Sequence, residues 1–176
     1  MSRLIKQAKS SPSAFTKLYE THVNSVYQYC AYRTKSTAEA EDLTSEIWET
    51  ALKHMHTLES NHPIAFKAWI FKIAQNCVYK HWKKRKEFLD LSGEAENIKS
   101  EEASPDAETR QEDEAKELRD LVETLPEQQK ETIALRFFSE LRNKEIATIL
   151  GVSEKTVASN LSRGLNSLHK WLKKLQ

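Results

Sequence analysis

Residues 143–163 read NKEIATILGVSEKTVASNLSR, and this stretch decides the fold. Ile146, Ala147 and Leu150 fall at helical spacing, so one side of a short first helix is apolar, and Gly151 stands where a helix C-terminus needs a residue that tolerates positive φ. Val152 can plug the corner. Ser153 is a good N-cap for a second helix, in which Val157 and Leu161 continue the buried stripe and Lys155, Thr156, Ser159, Asn160 and Arg163 are expected to point outward. Two short helices around a Gly-centred turn make a helix-turn-helix. In such a unit the second helix enters the DNA major groove, where Asn and Arg make bidentate contacts and Ser or Thr adapts to either base. The spacing, the Gly turn and the polar outer face together favour this reading over a helical hairpin packed inside some other α-domain.

Working outward, the chain has 176 residues, 39% hydrophobic and 30% charged, with only three Gly and four Pro. That composition argues against a turn-rich β protein and allows one large or two small domains. There is no run of about 18 apolar residues, and the N-terminus MSRLIKQAKSS lacks an apolar signal core, so neither membrane span nor export is expected, and the protein is placed in the cytoplasm. Cys30 and Cys77 sit in apolar helical patterns without a CxxC partner and read as reduced core thiols.

A net charge of +1 hides strong segregation. Residues 1–90 carry 14 Lys/Arg against 9 Asp/Glu, residues 91–132 carry 5 against 14, and residues 133–176 carry 8 against 3. Two basic modules flank an acidic tether, the pattern of a nucleic-acid binder with two contact points, since phosphate neutralisation needs local positive charge.

Upstream, Ser11-Pro12 reads as N-cap and first residue of a helix running to about Arg33, with Phe15, Leu18, Val23, Val26, Tyr27 and Cys30 inward. Ser36 and Glu39 form a capping box for a second helix, with Ala40, Leu43, Ile47 and Ala51 inward and Asp42, Glu46 and Glu49 on the opposite face. Residues 57–63, TLESNHP, read as a loop. A third helix begins near Pro63, with Phe66, Ile70, Ile73 and Cys77 inward and Asn76, Tyr79, Lys80 and Lys83 on another side. Residues 87–115 lose the pattern and read as a flexible acidic linker, with helical patches left open. Pro126 then opens a helix expected to carry Ile133 and Phe137 towards the helix-turn-helix. With no strand-type alternation, the fold class is all-α, two small helical domains (1–86 and 116–176) joined by that linker, the C-terminal one holding the helix-turn-helix.

Residues 79–86, YKHWKKRK, mix five Lys/Arg with a His and two aromatics. Cations supply phosphate contacts and aromatic faces stack on unpaired bases, so the segment suits opened or single-stranded nucleic acid. The bland alternative is a basic helix end complementing the macrodipole, with Trp82 covering an apolar neighbour. His54, His56 and His62 lack the spacing of a tetrahedral zinc site. No Gly-rich phosphate loop, nucleophile elbow or paired His/carboxylate motif is present, so no catalytic residue, metal or cofactor is assigned and the chain does not read as an enzyme.

Together these segments resemble bacterial RNA polymerase sigma factors, specifically the two-domain extracytoplasmic-function (ECF) group of the sigma-70 family. Residues 14–22 (AFTKLYETH), 38–48 (AEAEDLTSEIW) and 66–86 (FKAWIFKIAQNCVYKHWKKRK) look like successive pieces of sigma region 2, and residues 121–168 look like region 4. The resemblance implies that Asp42, Leu43 and Glu46, a D-L-x-x-E motif, dock on the β′ clamp helices of core RNA polymerase. It implies that Asn76, with Tyr79, Lys80, Lys83, Lys84 and Arg85, engages the minus-10 element as its strands part, while the loop at Asn61 and His62 helps hold a flipped-out base. Lys155, Thr156, Ser159, Asn160 and Arg163 would read the minus-35 element. The implied partners are core RNA polymerase (β′ clamp helices and β flap), promoter DNA and an anti-sigma factor, without membrane insertion. Lys80 stands where the family usually has an acidic residue, which implies a different local pairing at the minus-10 helix; Arg142 stands where a Ser or Thr commonly caps the first helix of the turn motif, with Asn143 as the alternative cap; and Ala158 and Asn160 stand where basic residues are frequent, which implies fewer phosphate contacts in region 4. A conventional helix-turn-helix repressor or activator would need neither the acidic face nor the aromatic-basic segment, and an adaptor of acidic partners would bind no DNA.

Overall fold

The computed structural model describes residues 1–34, 36–92, 121–122 and 124–173. Among them there are seven α-helices and no strand: α1 (Ser2–Ala8), α2 (Pro12–Arg33), α3 (Thr37–His54), α4 (Pro63–Ser92), α5 (Glu127–Ser139), α6 (Asn143–Leu150) and α7 (Glu154–Leu172), with a 3-10 turn at Met55–Thr57 after α3. None is long and apolar enough to cross a membrane.

The helix boundaries follow from local chemistry. Ser11 caps α2, its Oγ accepting from the Ala14 amide at 3.4 Å, and Pro12 occupies the first position, where its missing N–H costs nothing. Ser36 Oγ accepts from the Glu39 amide at 3.2 Å to start α3. At the head of α4, His62 Nδ1 accepts from the Ile64 amide at 3.2 Å. Gly151 ends α6 with φ at +68°, and the Val152 amide closes back on the Ala147 carbonyl at 3.1 Å. Arg142 rather than Asn143 precedes α6, and its amide is satisfied by the Glu145 carboxylate at 3.1 Å.

α2, α3 and α4 form a bundle around Leu18, Val26, Tyr29, Cys30, Ile47, Phe66, Ile70 and Phe71, all fully buried or nearly so. Tyr29 and Phe71 meet edge-on at 5.6 Å, and Phe15 and Trp48 at 5.9 Å. Both cysteines are buried and unpaired, as expected; burial pushes the Cys30 thiol up to about 12 and the Cys77 thiol to about 11. Downstream, α5, α6 and α7 close over Leu135, Ile146, Ile149 and Val157. A Cβ on Gly164 would lie 2.6 Å from Ile133 Cδ1, so α7 approaches α5 at a glycine.

Two expectations change. α4 continues to Ser92, past the expected linker start at Glu87, with strong helix formers and a Lys83–Glu87 pair at 3.8 Å along its exposed side; the rest of the expected linker, from residue 93, lies outside the described residues. Phe137, expected with Ile133 to face the helix-turn-helix, is exposed, while Ile133 is buried along with Ala134 and Leu135. The two helical groups touch each other: α2 and α4 pack against α5 and α6, and one apolar cluster runs through both.

Candidate nucleic-acid interface

The basic end of α4 presents two kinds of side chain. Asn76, Tyr79, Lys80, Lys83 and Lys84 are exposed, Tyr79 at 68%. Trp82 behaves differently. Half-buried, it donates its indole Nε1–H to the Arg33 carbonyl at 3.1 Å, the core-covering role that was the bland alternative. Arg85, expected among the phosphate contacts, is held at 2.6 Å by Glu39 and lies 5.8 Å from the Trp82 ring centroid, so its charge is already paired. His81 Nε2 shares the Glu39 carboxylate at 3.8 Å. The loop before α4 leaves His62 exposed and Asn61 half-buried, with the Asn61 Oδ1 buried and accepting no hydrogen bond.

On the helix-turn-helix, Ser153 caps α7 by accepting from the Thr156 amide at 3.1 Å. Lys155 and Arg163 are exposed, and Thr156 and Ser159 are half-buried. Asn160 corrects the expectation of an outward residue: it is only 9% exposed. The inner stripe of α7 runs through Val157, Asn160 and Gly164, and Leu161 sits half-buried at its edge. Asn160 faces a cavity of about 460 Å³ between the two helical groups, lined also by Gln75, Tyr79, Trp82, Arg33 and Glu131.

Arg33 anchors that seam. Its guanidinium donates to Glu127 Oε1 and stands 3.3 Å from Glu131 Oε2, while the Tyr29 hydroxyl donates to Glu131 Oε1 at 2.6 Å. Burial opposes the Arg33 charge, but Glu131 and Glu127 outweigh it and hold the guanidinium pKa up; burial also raises the Glu131 carboxyl, against the pull of Arg33 and Tyr29. None of these four residues stood out as functional in the sequence. The available signal was a carboxylate at Glu131 beside the apolar run TIALRFF.

On the far side of the bundle, Asp42, Glu46 and Glu49 are all exposed on α3. Leu43, between them, is 3% exposed and belongs to the core. The His54 and His56 rings lie 6.4 Å apart, and no group of three or more metal-ligating side chains occurs among the described residues.

Comparison with known proteins agrees with this layout. Residues 18–88 match the family model for sigma-70 region 2, and residues 115–168 that for sigma-70 region 4. The ECF RNA polymerase sigma factor BldN of Streptomyces coelicolor is 32% identical over 174 residues, covering 98% of this chain, which in turn spans 66% of BldN. The ECF RNA polymerase sigma factor SigX of Bacillus subtilis is 25% identical over 167 residues, covering 92% of this chain and 85% of SigX. In fold, the chain is similar to RpoE of Bartonella quintana, solved with the anti-sigma factor NepR (TM-score 0.75, 23% identity, 90% of this chain and 96% of that one). It is also similar to the structure of CnrH in complex with the cytosolic domain of CnrY (TM-score 0.74, 18% identity, 98% and 97%).

Proposed function

Since the chain belongs to the sigma-70 family, in its extracytoplasmic-function group, we propose that it binds core RNA polymerase in the cytoplasm and directs promoter-specific initiation. It carries no catalytic step of its own. The observation that best supports this is the presence on one chain of an exposed acidic face, an exposed aromatic-basic helix and a capped helix-turn-helix, in region 2 to region 4 order.

The division of labour follows the chemistry. Asp42 and Glu46, exposed and unencumbered by neighbouring helices, dock on basic residues of the β′ clamp helices, with Leu43 fixing their helix from below. Tyr79 stacks on a base of the opened minus-10 element while Lys80, Lys83 and Lys84 contact phosphates. Asn76 and the Asn61–His62 loop contribute polar contacts to the same strand. Lys155, Thr156, Ser159 and Arg163 read the minus-35 major groove. Residues 1–86 thus serve docking and melting, residues 87–115 tether, and residues 116–176 serve upstream recognition. An anti-sigma factor, as NepR is to RpoE of Bartonella quintana, is the expected inhibitor. The test is co-migration with core RNA polymerase on a sizing column: wild type should travel with the enzyme, and a chain that stays free under those conditions would overturn the reading.

A further inference from the structure

The basic end of α4 is charged on two sides, and they differ in how freely their charges can be used. Lys80, Lys83 and Lys84 are exposed. The Lys83–Glu87 pair, at 3.8 Å, has both side chains open to water, at 65% and 62%, and a pair of that kind is worth little and yields to a phosphate. His81 and Arg85, one helical turn apart, lie instead on the side that meets α3.

Arg85 is held far more firmly than Lys83. Its Nη1 donates to Glu39 Oε1 at 2.6 Å, a short charge-assisted hydrogen bond, and the two side chains are only 29% and 26% exposed. The guanidinium also lies 5.8 Å from the centroid of the Trp82 ring, which is itself fixed by the bond from its indole to the Arg33 carbonyl. The same Glu39 oxygen stands 3.8 Å from His81 Nε2, which is buried and makes no hydrogen bond. One carboxylate therefore faces both of the inner basic side chains.

Glu39 is also the third residue of α3, and the N-cap Ser36 accepts from its amide. That place matters for Arg85. A helix N-terminus carries partial positive charge and disfavours a cation, so it is the Glu39 charge that keeps the guanidinium beside α3. With a neutral side chain at position 39, no anion opposes that repulsion, and the long Arg85 side chain turns out to solvent on the same helix end as the exposed lysines.

We propose that Glu39 is a positioning residue of the minus-10 interface: it withholds Arg85 from the DNA, so that the basic helix engages phosphate through Lys80, Lys83 and Lys84 and with one contact fewer than its sequence offers. The proposal rests on the sigma-factor reading above. Glu39 thereby limits the part of promoter affinity that depends on salt and not on sequence.

The test titrates a pre-melted minus-10 bubble with holoenzymes made from full-length wild type, Glu39→Gln, Arg85→Gln and the double variant, over a series of salt concentrations, with fluorescence anisotropy as the readout. Gln serves as well as Glu at this position of a capping box, so Glu39→Gln removes the charge and spares the helix start. It should bind several-fold tighter at low salt, with a log–log salt slope steeper by about 0.7, the increment of one phosphate on a single strand, so that its advantage shrinks roughly threefold between about 50 and 200 mM salt. Adding Arg85→Gln should abolish both effects. An unchanged slope in Glu39→Gln would overturn the proposal, and so would a gain that survives in the double variant. A shallower slope in Arg85→Gln alone would show that Arg85 already contacts phosphate, and would overturn it too. Failure of the wild-type holoenzyme to bind the bubble at any salt would instead remove the sigma-factor reading on which the proposal stands.

Discussion

Arg33 at the end of α2 and Glu131 in the middle of α5 face each other with Nε 3.3 Å from Oε2, both side chains buried, across 98 positions of sequence. The distance is that of an ion pair, but Nε makes no well-aligned hydrogen bond. The guanidinium's hydrogen bond goes to Glu127, and the Glu131 carboxylate takes its own from Tyr29. Each charge is therefore compensated only while the others stay in place.

Removing one member should cost more than removing the pair. Glu131→Ala leaves Arg33 buried beside Glu127 alone and should destabilise the packed chain by about 3 kcal/mol, whereas Arg33→Met with Glu131→Leu should recover most of that loss. Urea unfolding of the two variants measures the difference; equal losses would contradict the coupling.

On α3, exposure separates docking from packing. Reversing Asp42 and Glu46 to Lys should abolish core polymerase binding with helical content intact. Leu43→Ala should instead destabilise the bundle by roughly 2–5 kcal/mol, as for other buried leucines. Thermal unfolding alongside polymerase pull-down distinguishes them, and normal binding by the double charge reversal would refute the docking assignment.

The two aromatics of the melting helix should also part company. Tyr79→Ala should weaken binding of the holoenzyme to a pre-opened minus-10 bubble by about 1–3 kcal/mol, the worth of one base stack. Trp82→Phe keeps a ring but removes the bond to the Arg33 carbonyl, so it should loosen the seam and leave bubble affinity nearly unchanged. Fluorescence anisotropy on a pre-melted promoter reads both; a Tyr79→Ala variant with wild-type affinity would remove Tyr79 from the DNA contact.

Acid should destabilise the fold through His22. Burial, and next the neighbouring Lys67, lower its pKa from 6.5, against a smaller opposing effect of Glu140. The unfolded chain thus binds the proton more readily, and stability present above pH 6.5 is lost as pH falls from there through the lowered folded value. Replacing His22 with Gln should flatten that part of the stability profile. An unchanged slope would show that another group carries it.

Much of the fold was legible because its signals are local. Ser11, Ser36 and Ser153 cap helices where their positions indicate, and Gly151 takes the left-handed turn that the helix-turn-helix requires. What escaped depends on contacts between remote segments. Asn160 has the polarity of a groove-reading residue, but it shares the buried stripe of α7 with Val157 and Gly164, where the helix closes on Ile133 of α5. Arg85 has the charge for phosphate, yet Glu39, 46 residues earlier, claims it. Tyr29 and Glu131 lie 102 residues apart, and no periodicity announces their bond. Phe137 continues an apolar run, but only one side of α5 faces the core.

The most direct measurement is run-off transcription with purified bacterial core RNA polymerase, with and without this protein, on a pool of genomic promoters from its source. Discrete new transcripts sharing a two-part upstream motif are the predicted result. No initiation, together with specific binding to duplex DNA in the absence of polymerase, would contradict the account and point to a conventional helix-turn-helix regulator.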